Sequence, residues 1–386
     1  MPEQPLISAD SHIVEPADLW SARLDKAFRD RAPSFVMNPE GKKGFYFICD
    51  GLEPRLMSSA FASGVNSEDL LAYHQNTSLE DGRAGAWDPA PRLVDMALDG
   101  VQAEVIYTSV GFGLLGMTDG PFQAALFRAY NDWLAEFCGY APSRLAGLGM
   151  IPLLDIEAGC HELRRCAKLG LRGALIMASP PVGHSFASKA YDPFWAEAEA
   201  LRMPVSLHAT AGHGPESKDK TRSRYQIKMC APHEIQRSFI DILFSGMLER
   251  FPNLKLVSAE NDIGWIPYFL YSADYYYRKY LHYEPTELQM PPSEYWKRQV
   301  YATFMDDAIG IEICHHVGEK TYMWASDYPH TQSTWPRSRD VIAKNFVTVS
   351  DDVRHNITCR NVADLYGFDV GELAQTVLGV DTATSC

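Results

Sequence analysis

The sequence predicts an α/β protein folded as a (β/α)8 TIM-like barrel, with a long insertion after the first strand. Eight short apolar runs recur along the chain, as is typical of parallel strands that are buried on both faces. Apolar residues at helical spacing separate several of these runs. Alternation of strands and helices with a count of eight favours a closed barrel over an open sheet. No Gly-x-Gly-x-x-Gly motif follows a predicted strand, so a dinucleotide-binding fold has no support.

The apolar runs give the expected order of elements. The predicted strands cover residues 6–9, 103–107, 145–151, 173–177, 204–207, 254–258, 300–304 and 322–325. The predicted helices cover residues 122–138, 156–169, 192–201 and 233–250. We predict one domain over residues 1–386. Within it, residues 13–100 form a first helical region and a lid over the mouth of the barrel, and residues 369–386 form a loosely held C-terminal tail.

Composition excludes several classes of function. The formal net charge of −14 repels the phosphates of nucleic acid and of anionic lipid, so we expect neither as a partner. The eight cysteines show no paired spacing, which is typical of a reducing compartment. The N-terminus lacks the profile of a signal peptide, and no apolar run is long enough to cross a bilayer. We therefore expect a cytoplasmic protein that does not insert into membranes.

Chemically versatile side chains follow four of the predicted strands. In an α/β barrel the active site lies at the carboxyl ends of the strands. Asp10 and His12 follow the first strand and, being two residues apart on extended chain, point the same way. Imidazole and carboxylate ligands suit zinc, iron, manganese or cobalt. The predicted metal ligands are Asp10, His12, His208, Glu260 and Asp327, the predicted catalytic residues are Glu260, Asp327 and His330, and His213 and Asp262 lie near them in the sequence.

Five motifs resemble those of the amidohydrolase-related metal enzymes. They are DSHIVEP at 10–16, YNDWL at 130–134, FPNLK at 251–255, SDYPH at 326–330 and NVADLYGF at 361–368. They occur in the expected order over nearly the whole chain. The resemblance implies a distorted (β/α)8 barrel that holds one or two divalent metals at its strand ends. The best-known members of this branch are non-oxidative decarboxylases of aromatic and muconate acids, and hydrolases.

The sequence departs from the pattern of that family in three places. The first motif is usually His-x-His, and here it is Asp10-Ser11-His12. The sixth strand usually ends in a histidine, and here it ends in Glu260. The lysine expected on the fourth strand is absent from residues 173–177. Glu260 is either a metal ligand or a carboxylate that orients a ligand histidine, and the sequence leaves both readings open.

The carboxylate-rich set favours an oxidative hypothesis. It resembles the nonheme diiron monooxygenases built on the amidohydrolase scaffold, such as the hydroxylase of platensimycin and platencin biosynthesis. This resemblance implies two iron ions, O2 as cosubstrate, and hydroxylation of a hydrophobic substrate, either terpenoid-like or a CoA-linked acid, in natural-product biosynthesis. We predict this function from the sequence.

Two other hypotheses remain. The main alternative is a zinc- or manganese-dependent, non-oxidative decarboxylase or hydrolase of aromatic or related carboxylic acids. A non-catalytic binding module would require the loss of metal-site residues, and the expected positions are filled. The resemblance further implies a homodimer acting on a small hydrophobic or carboxylated substrate.

Overall fold

A computed structural model describes residues 4–181, 183–211 and 223–383 of the chain. Eight parallel strands follow one another in sequence order around a nearly closed barrel, so the predicted (β/α)8 fold is confirmed. The barrel strands are β1 (Ile7–His12), β2 (Ala103–Tyr107), β3 (Leu145–Met150), β4 (Gly173–Ile176), β5 (Val205–His208), β6 (Leu256–Ala259), β7 (Val300–Phe304) and β8 (Tyr322–Trp324).

The first strand and the end of the eighth strand join the two edges of the barrel. The Asp327 N–H donates to the Asp10 carbonyl at 2.9 Å, and the His12 N–H donates to the Tyr328 carbonyl at 2.6 Å. Strand β1 runs three residues beyond the apolar run, and all six of its residues are buried. Asp10 and His12 therefore lie on the strand itself, beside the end of β8.

Helices alternate with the strands, and several begin at side-chain caps. Asp155, for example, accepts hydrogen bonds from the N–H groups of Glu157 and Ala158, which satisfies donors at the start of a helix. The α-helices are α1 (Leu19–Arg23), α2 (Leu70–Asn76), α3 (Pro89–Asp99), α4 (Gly111–Leu114), α5 (Gly120–Gly139), α6 (Ile156–Lys168), α7 (Asp192–Leu201), α8 (Arg224–Phe244), α9 (Met247–Arg250), α10 (Ile266–Tyr280), α11 (Pro292–Gln299), α12 (Ala308–Ile313), α13 (Ser338–Asn345), α14 (Asp351–His355), α15 (Asn361–Tyr366) and α16 (Val370–Ala383).

Helix α8 differs from its prediction at both ends. The sequence predicted a helix over residues 233–250, but α8 begins at Arg224 and tolerates Pro232 in its interior. A capping box between Ser223 and Gln226 fixes the earlier start. Gly246, with φ 70°, separates α8 from α9 because it adopts a left-handed backbone without a steric cost. The earlier start gives the barrel an additional helical segment over residues 224–232.

The insertion after β1 contributes a small sheet of its own. Antiparallel strands Ser34–Met37, Phe45–Ile48 and Arg55–Leu56 pair in this order. The third of these strands and the segment that follows it reach a cavity at the carboxyl ends of the barrel strands, which Arg55, Ser59 and Ala60 help to line. The insertion therefore forms part of the wall around the barrel mouth. At the other end of the chain, α16 occupies most of the region in which the sequence predicted only a tail.

None of the helices within the described ranges is both long enough and apolar enough to cross a membrane.

A buried carboxylate joins the insertion to the C-terminal part of the chain and carries a pH prediction. Asp99 accepts hydrogen bonds from the N–H and the hydroxyl of Ser338. Burial raises the pKa of Asp99 to about 6, although these bonds oppose the rise. The unfolded chain loses this proton near pH 4 and the folded chain only near pH 6. Ionisation therefore favours unfolding, and this contribution to stability falls by about 3 kcal/mol between pH 4 and pH 7.

The variant Asp99→Asn isolates this effect. We expect its unfolding free energy, relative to that of the wild type, to rise by about 3 kcal/mol from pH 4 to pH 7. Denaturant unfolding of both proteins at three pH values measures the difference. A difference that stays constant with pH would contradict the prediction.

Candidate metal centre

Four of the predicted ligand side chains converge at the carboxyl ends of β1, β5 and β8. The Nε2 atom of His12 lies 3.3 Å from Oδ1 of Asp10 and 3.0 Å from Oδ1 of Asp327. The Nε2 atom of His208 lies 3.4 Å from Oδ2 of Asp10. All four residues are at most 1% exposed. Two groups have potential ligand atoms within 4.8 Å of one another, namely Asp10, His12 and His208, and His12, Glu260, Asp327 and His330.

Backbone carbonyls set the tautomers of both histidines. Nδ1 of His12 lies 2.9 Å from the Thr108 carbonyl, and Nδ1 of His208 lies 2.7 Å from the Ala209 carbonyl. A carbonyl oxygen only accepts hydrogen bonds, so each Nδ1 carries a hydrogen. In the neutral ring this leaves a lone pair on Nε2, which is the arrangement that metal-binding histidines use. Both Nε2 atoms therefore suit a shared cation.

The donor set fits a divalent cation. Oδ1 of Asp10, both carboxylate oxygens of Asp327, and the Nε2 atoms of His12 and His208 are buried without a hydrogen-bond partner among the described residues. Buried charges that lack a partner are costly, and those that persist are paired or coordinate metals. Mixed carboxylate and imidazole donors suit first-row divalent ions. The described residues therefore form a buried site that could hold such an ion.

The surroundings of these groups favour positive charge at the centre. Burial lowers the pKa of His12, but contacts with Asp10 and Asp327 outweigh burial and raise this pKa to about 10. For Asp327, burial raises the pKa, but the charge of His330 and the contacts with His12 and His330 lower it well below its ordinary range. A proton on His12 thus occupies the position where a metal ion would bind, and metal binding would release that proton.

Glu260 stands beside these ligands and is tied to a lysine. Its Oε2 lies 3.5 Å from Nε2 of His208, and its Oε1 lies 3.2 Å from Nζ of Lys228 on α8. The charge of Glu260 raises the pKa of Lys228, which burial would otherwise lower. One carboxylate oxygen therefore faces the metal ligands while the other pairs with the ammonium group.

His330 lies between the ligands and the cavity. Its ring stacks on His12, with centroids 3.8 Å apart and planes 17° apart. Nδ1 lies 3.0 Å from Oδ1 of Asp327, and Nε2 lies 2.8 Å from Oγ of Ser109. Burial, together with the charge of His12, lowers the pKa of His330. A chain of polar contacts thus runs from Ser109 through His330 to Asp327.

Three carboxylate residues after β6 and β8 adopt a left-handed backbone. The φ angles of Glu260, Asp262 and Asp327 are 54°, 55° and 56°. This conformation costs a residue other than glycine about 1–2 kcal/mol and tends to persist at functional sites.

Burial, followed by the charges of Asp307 and Glu260, raises the pKa of Asp262 to about 6, but Asp262 is in neither ligand group. His213 lies outside the described residues.

Sequence analysis did not identify several residues that complete the site. A cavity of about 330 Å³ adjoins Glu260, Asp327 and His330, and its wall includes Arg55 and Lys228. Neither cation stands at the carboxyl end of a barrel strand, so reasoning from those strand ends had no signal for them. The hydroxyl of Thr303, by contrast, donates to Oδ2 of Asp10 at 3.1 Å. A polar residue within an apolar strand was the available signal for Thr303. Phe112, which also lines the cavity, stacks on His208 with the two ring centroids 4.4 Å apart.

Two buried charged residues hold the ligand strand in place. Arg92 donates to the His12 carbonyl at 2.6 Å and to Glu104 on the neighbouring strand at 2.6 Å. Glu15, in the first motif, accepts from the Val110 N–H at 2.9 Å and also from the hydroxyl of Thr108. It thereby holds the loop whose Thr108 carbonyl orients the ring of His12.

Comparison with curated proteins gives relatives that are decarboxylases. The chain is 24% identical over 289 residues to 2-amino-3-carboxymuconate-6-semialdehyde decarboxylase of Dictyostelium discoideum, covering 74% of this chain and 78% of that protein. It is 27% identical over 229 residues to gamma-resorcylate decarboxylase of Rhodococcus jostii, covering 52% of this chain and 65% of that protein. Both identities are low.

Comparison with solved structures supports the fold. An amidohydrolase from Mycobacterium avium subsp. paratuberculosis superposes with a TM-score of 0.77 at 20% identity, over 95% of this chain and 100% of that chain. A dihydroxybenzoic acid decarboxylase from Polaromonas sp. JS666, which holds manganese and the inhibitor 2-nitroresorcinol, gives a TM-score of 0.64 at 17% identity, over 95% and 97% of the two chains.

These comparisons correct the predicted function. The prediction of a nonheme diiron monooxygenase is wrong, because the relatives and the functionally characterised structural neighbours are decarboxylases. The prediction of two iron ions has no support, since similar structures hold manganese. The prediction of two irons rested on the charge of Glu260, which called for a second cation. In the structure Lys228 supplies positive charge to one oxygen of Glu260, while the other oxygen faces His208.

The family assignment rests on a longer match than any single relative gives. The amidohydrolase family profile matches residues 17–368, which is most of the chain and includes every barrel strand except β1. The architecture agrees with this match over the same residues. The chain therefore belongs to the amidohydrolase family.

Proposed function

We propose that the protein is a metal-dependent decarboxylase of a small, carboxylated aromatic acid. The observation that carries this proposal is the group of buried candidate ligand atoms that lack hydrogen-bond partners within the described part of the chain, beside a cavity whose wall holds a cation. The decarboxylases among the relatives, which act on gamma-resorcylate and 6-methylsalicylic acid among others, support the reaction class. The cavity of about 330 Å³ suits a single substituted benzene ring.

The metal would be held by Asp10, His12, His208 and Asp327. We propose one divalent ion, either manganese or zinc, because four mixed donors with one shared centre suit a single site. When bound, such an ion polarises substrate oxygens as a Lewis acid. We place Glu260 on the cavity wall, since Lys228 engages one of its oxygens at 3.2 Å. We retain the expectation of a homodimer, which light scattering of the purified protein measures.

Arg55 would recognise the anionic substrate. Its guanidinium lines the cavity and makes no hydrogen bond to a residue in the described part of the chain. A planar guanidinium can bind the two oxygens of a carboxylate through two parallel hydrogen bonds. Phe112 and Ala60 supply apolar wall for the ring. The substrate would therefore lie with its charge on Arg55 and its ring near Asp327.

Asp327 and His330 would relay to the substrate a proton taken from solvent, because the low pKa of the Asp327 carboxyl leaves it ionised at rest. Decarboxylation replaces the C–CO2⁻ bond of the substrate with a C–H bond. A proton joins the ring carbon, the C–C bond breaks, its electron pair returns to the ring, and CO2 leaves. Oδ2 of Asp327 has no hydrogen-bond partner in the described structure, and Asp327 is part of the cavity wall. His330 orients this carboxylate through Oδ1, at 3.0 Å.

Metal analysis and CO2 release test the proposal together. We expect about one divalent ion per chain, and CO2 release from at least one of gamma-resorcylate, 5-carboxyvanillate and 6-methylsalicylate. A chelator should abolish the release, and added Mn²⁺ or Zn²⁺ should restore it. A metal in excess should also raise the melting temperature, because a ligand at 100 times its Kd stabilises the folded state by about 2.7 kcal/mol.

The outcomes separate two ways in which the proposal can fail. A protein that binds the ion but releases no CO2 from a broad panel of aromatic acids would contradict the decarboxylase and leave the metal site standing. A protein whose melting temperature and catalysis do not respond to metal would contradict the metal site itself.

A further inference from the structure

Thr303 places one buried hydroxyl between two parts of the candidate metal centre. The residue lies on β7 and is fully buried. Its Oγ1 donates to Oδ2 of Asp10 at 3.1 Å, and it accepts from the Glu260 N–H at 2.9 Å. The hydroxyl therefore joins β1, β7 and the end of β6.

The directions of these two hydrogen bonds are fixed by their partners. An amide N–H can only donate, so Oγ1 of Thr303 must accept from Glu260. An ionised carboxylate can only accept, so the single hydroxyl hydrogen must point at Asp10. With Oδ2 held in this way, Oδ1 of Asp10 is the oxygen that has no hydrogen-bond partner among the described residues. The hydroxyl thereby fixes the plane of the Asp10 carboxylate, with Oδ1 facing His12 and Oδ2 facing His208.

The same hydroxyl supports the unusual backbone of Glu260. The pairing of β5 with β6 ends at His208 and Ala259, so the N–H of Glu260 lies beyond the ladder. Its φ of 54° is left-handed, a conformation that persists where surrounding contacts hold it. Thr303 provides the hydrogen-bond acceptor there. The direction in which the Glu260 carboxylate points toward His208 and Lys228 thus depends on this bond.

We propose that Thr303 is a positioning residue whose one hydroxyl fixes both the Asp10 carboxylate and the backbone of Glu260. The inference rests on the proposed metal site. Valine has nearly the shape of threonine but lacks the hydroxyl, so Thr303→Val would release Oδ2 of Asp10 and leave the N–H of Glu260 unpaired. Serine keeps the hydroxyl and loses only a methyl group. The pair of variants separates the hydrogen bonds from the packing.

The test measures Mn²⁺ affinity of the full chain by calorimetry. We expect Thr303→Val to weaken binding by about 10- to 100-fold, the usual effect of removing a group that orients a metal ligand. Thr303→Ser should stay within about 3-fold of the wild type. Thr321→Val is the matched control, because the buried hydroxyl of Thr321 has no hydrogen-bond partner among the described residues and lies just before β8, at the opposite end of the barrel.

Each outcome decides the inference. Thr303→Val binding Mn²⁺ as tightly as the wild type would overturn it and leave the proposed function intact. A wild type that binds no divalent ion would overturn both. If Thr303→Val does not fold, Thr303→Ser decides. A tenfold loss of Mn²⁺ affinity in Thr303→Ser would overturn the inference, because the hydroxyl alone would then not position the ligands. A loss of affinity in Thr321→Val equal to that in Thr303→Val would also reject the assignment.

Discussion

Replacing Asp327 with asparagine is expected to lower kcat for CO2 release by at least about 10³-fold. A positioned proton donor contributes about 10²- to 10⁴-fold to a reaction, and the proposed loss of a metal ligand adds to this. Asparagine has the same shape and, like aspartate, tolerates a left-handed backbone, so the φ of 56° at this position is retained. The variant therefore removes the carboxylate that would relay the proton while preserving the local fold.

Steady-state kinetics and metal analysis of Asp327→Asn measure this effect. Asp340→Asn, at an exposed position on α13, is the matched control and should behave as the wild type. We also expect the asparagine variant to bind Mn²⁺ at least tenfold more weakly, because a neutral amide replaces a buried carboxylate. An asparagine variant with kcat within tenfold of the wild type would remove Asp327 from the mechanism.

Replacing Arg55 with methionine is expected to lower kcat/KM by about 10²-fold, chiefly through KM. Truncating one partner of a buried, hydrogen-bonded charge pair costs about 2–5 kcal/mol. Methionine keeps much of the apolar stem but cannot bind a carboxylate. The kcat/KM of Arg55→Lys should fall between those of the wild type and Arg55→Met, because an ammonium group keeps the charge but lacks the planar arrangement of two donors.

Binding of uncharged substrate analogues provides the critical comparison for Arg55. Benzoate-type inhibitors should lose most of their affinity in Arg55→Met, whereas the corresponding benzamides should lose little. Arg337→Met, at an exposed position, controls for the change of net charge. If the methionine variant discriminates between acid and amide as well as the wild type does, the anion binds elsewhere.

The barrel could be predicted because its signals are local. A buried parallel strand is a short apolar run whatever its neighbours are, and the observed β2 and β7 have the predicted bounds. Strand-end residues such as His12 and His208 could be found for the same reason, because the fold places all carboxyl ends at one mouth. Local patterns predicted the start of α8 less well. The helix begins at the Ser223 cap and continues through Pro232, although proline usually interrupts a helix.

The chemistry could not be predicted with the same success because it depends on pairs that are distant in sequence. The ion pair of Glu260 with Lys228 joins residues 32 positions apart, and the hydrogen bond of Thr303 to Asp10 joins residues 293 positions apart. No periodicity reports such contacts. Glu260 considered alone suggested an additional iron ligand. The same residue paired with a lysine is a carboxylate whose charge is already balanced.

The closure of the barrel between β1 and β8 has a consequence for protein synthesis. The N–H of Ser326 donates to the hydroxyl of Ser8, 318 positions earlier, and the proposed ligands Asp10 and Asp327 meet at this same junction. Contacts of such separation form late, because a long loop must close before they add stability. While the ribosome is still adding residues before β8, the nascent chain carries His12 without Asp327. Acquisition of the proposed ion is therefore expected to follow synthesis of nearly the entire chain, and a product terminated before residue 322 would lack β8 and Asp327, and with them the closed form of the centre.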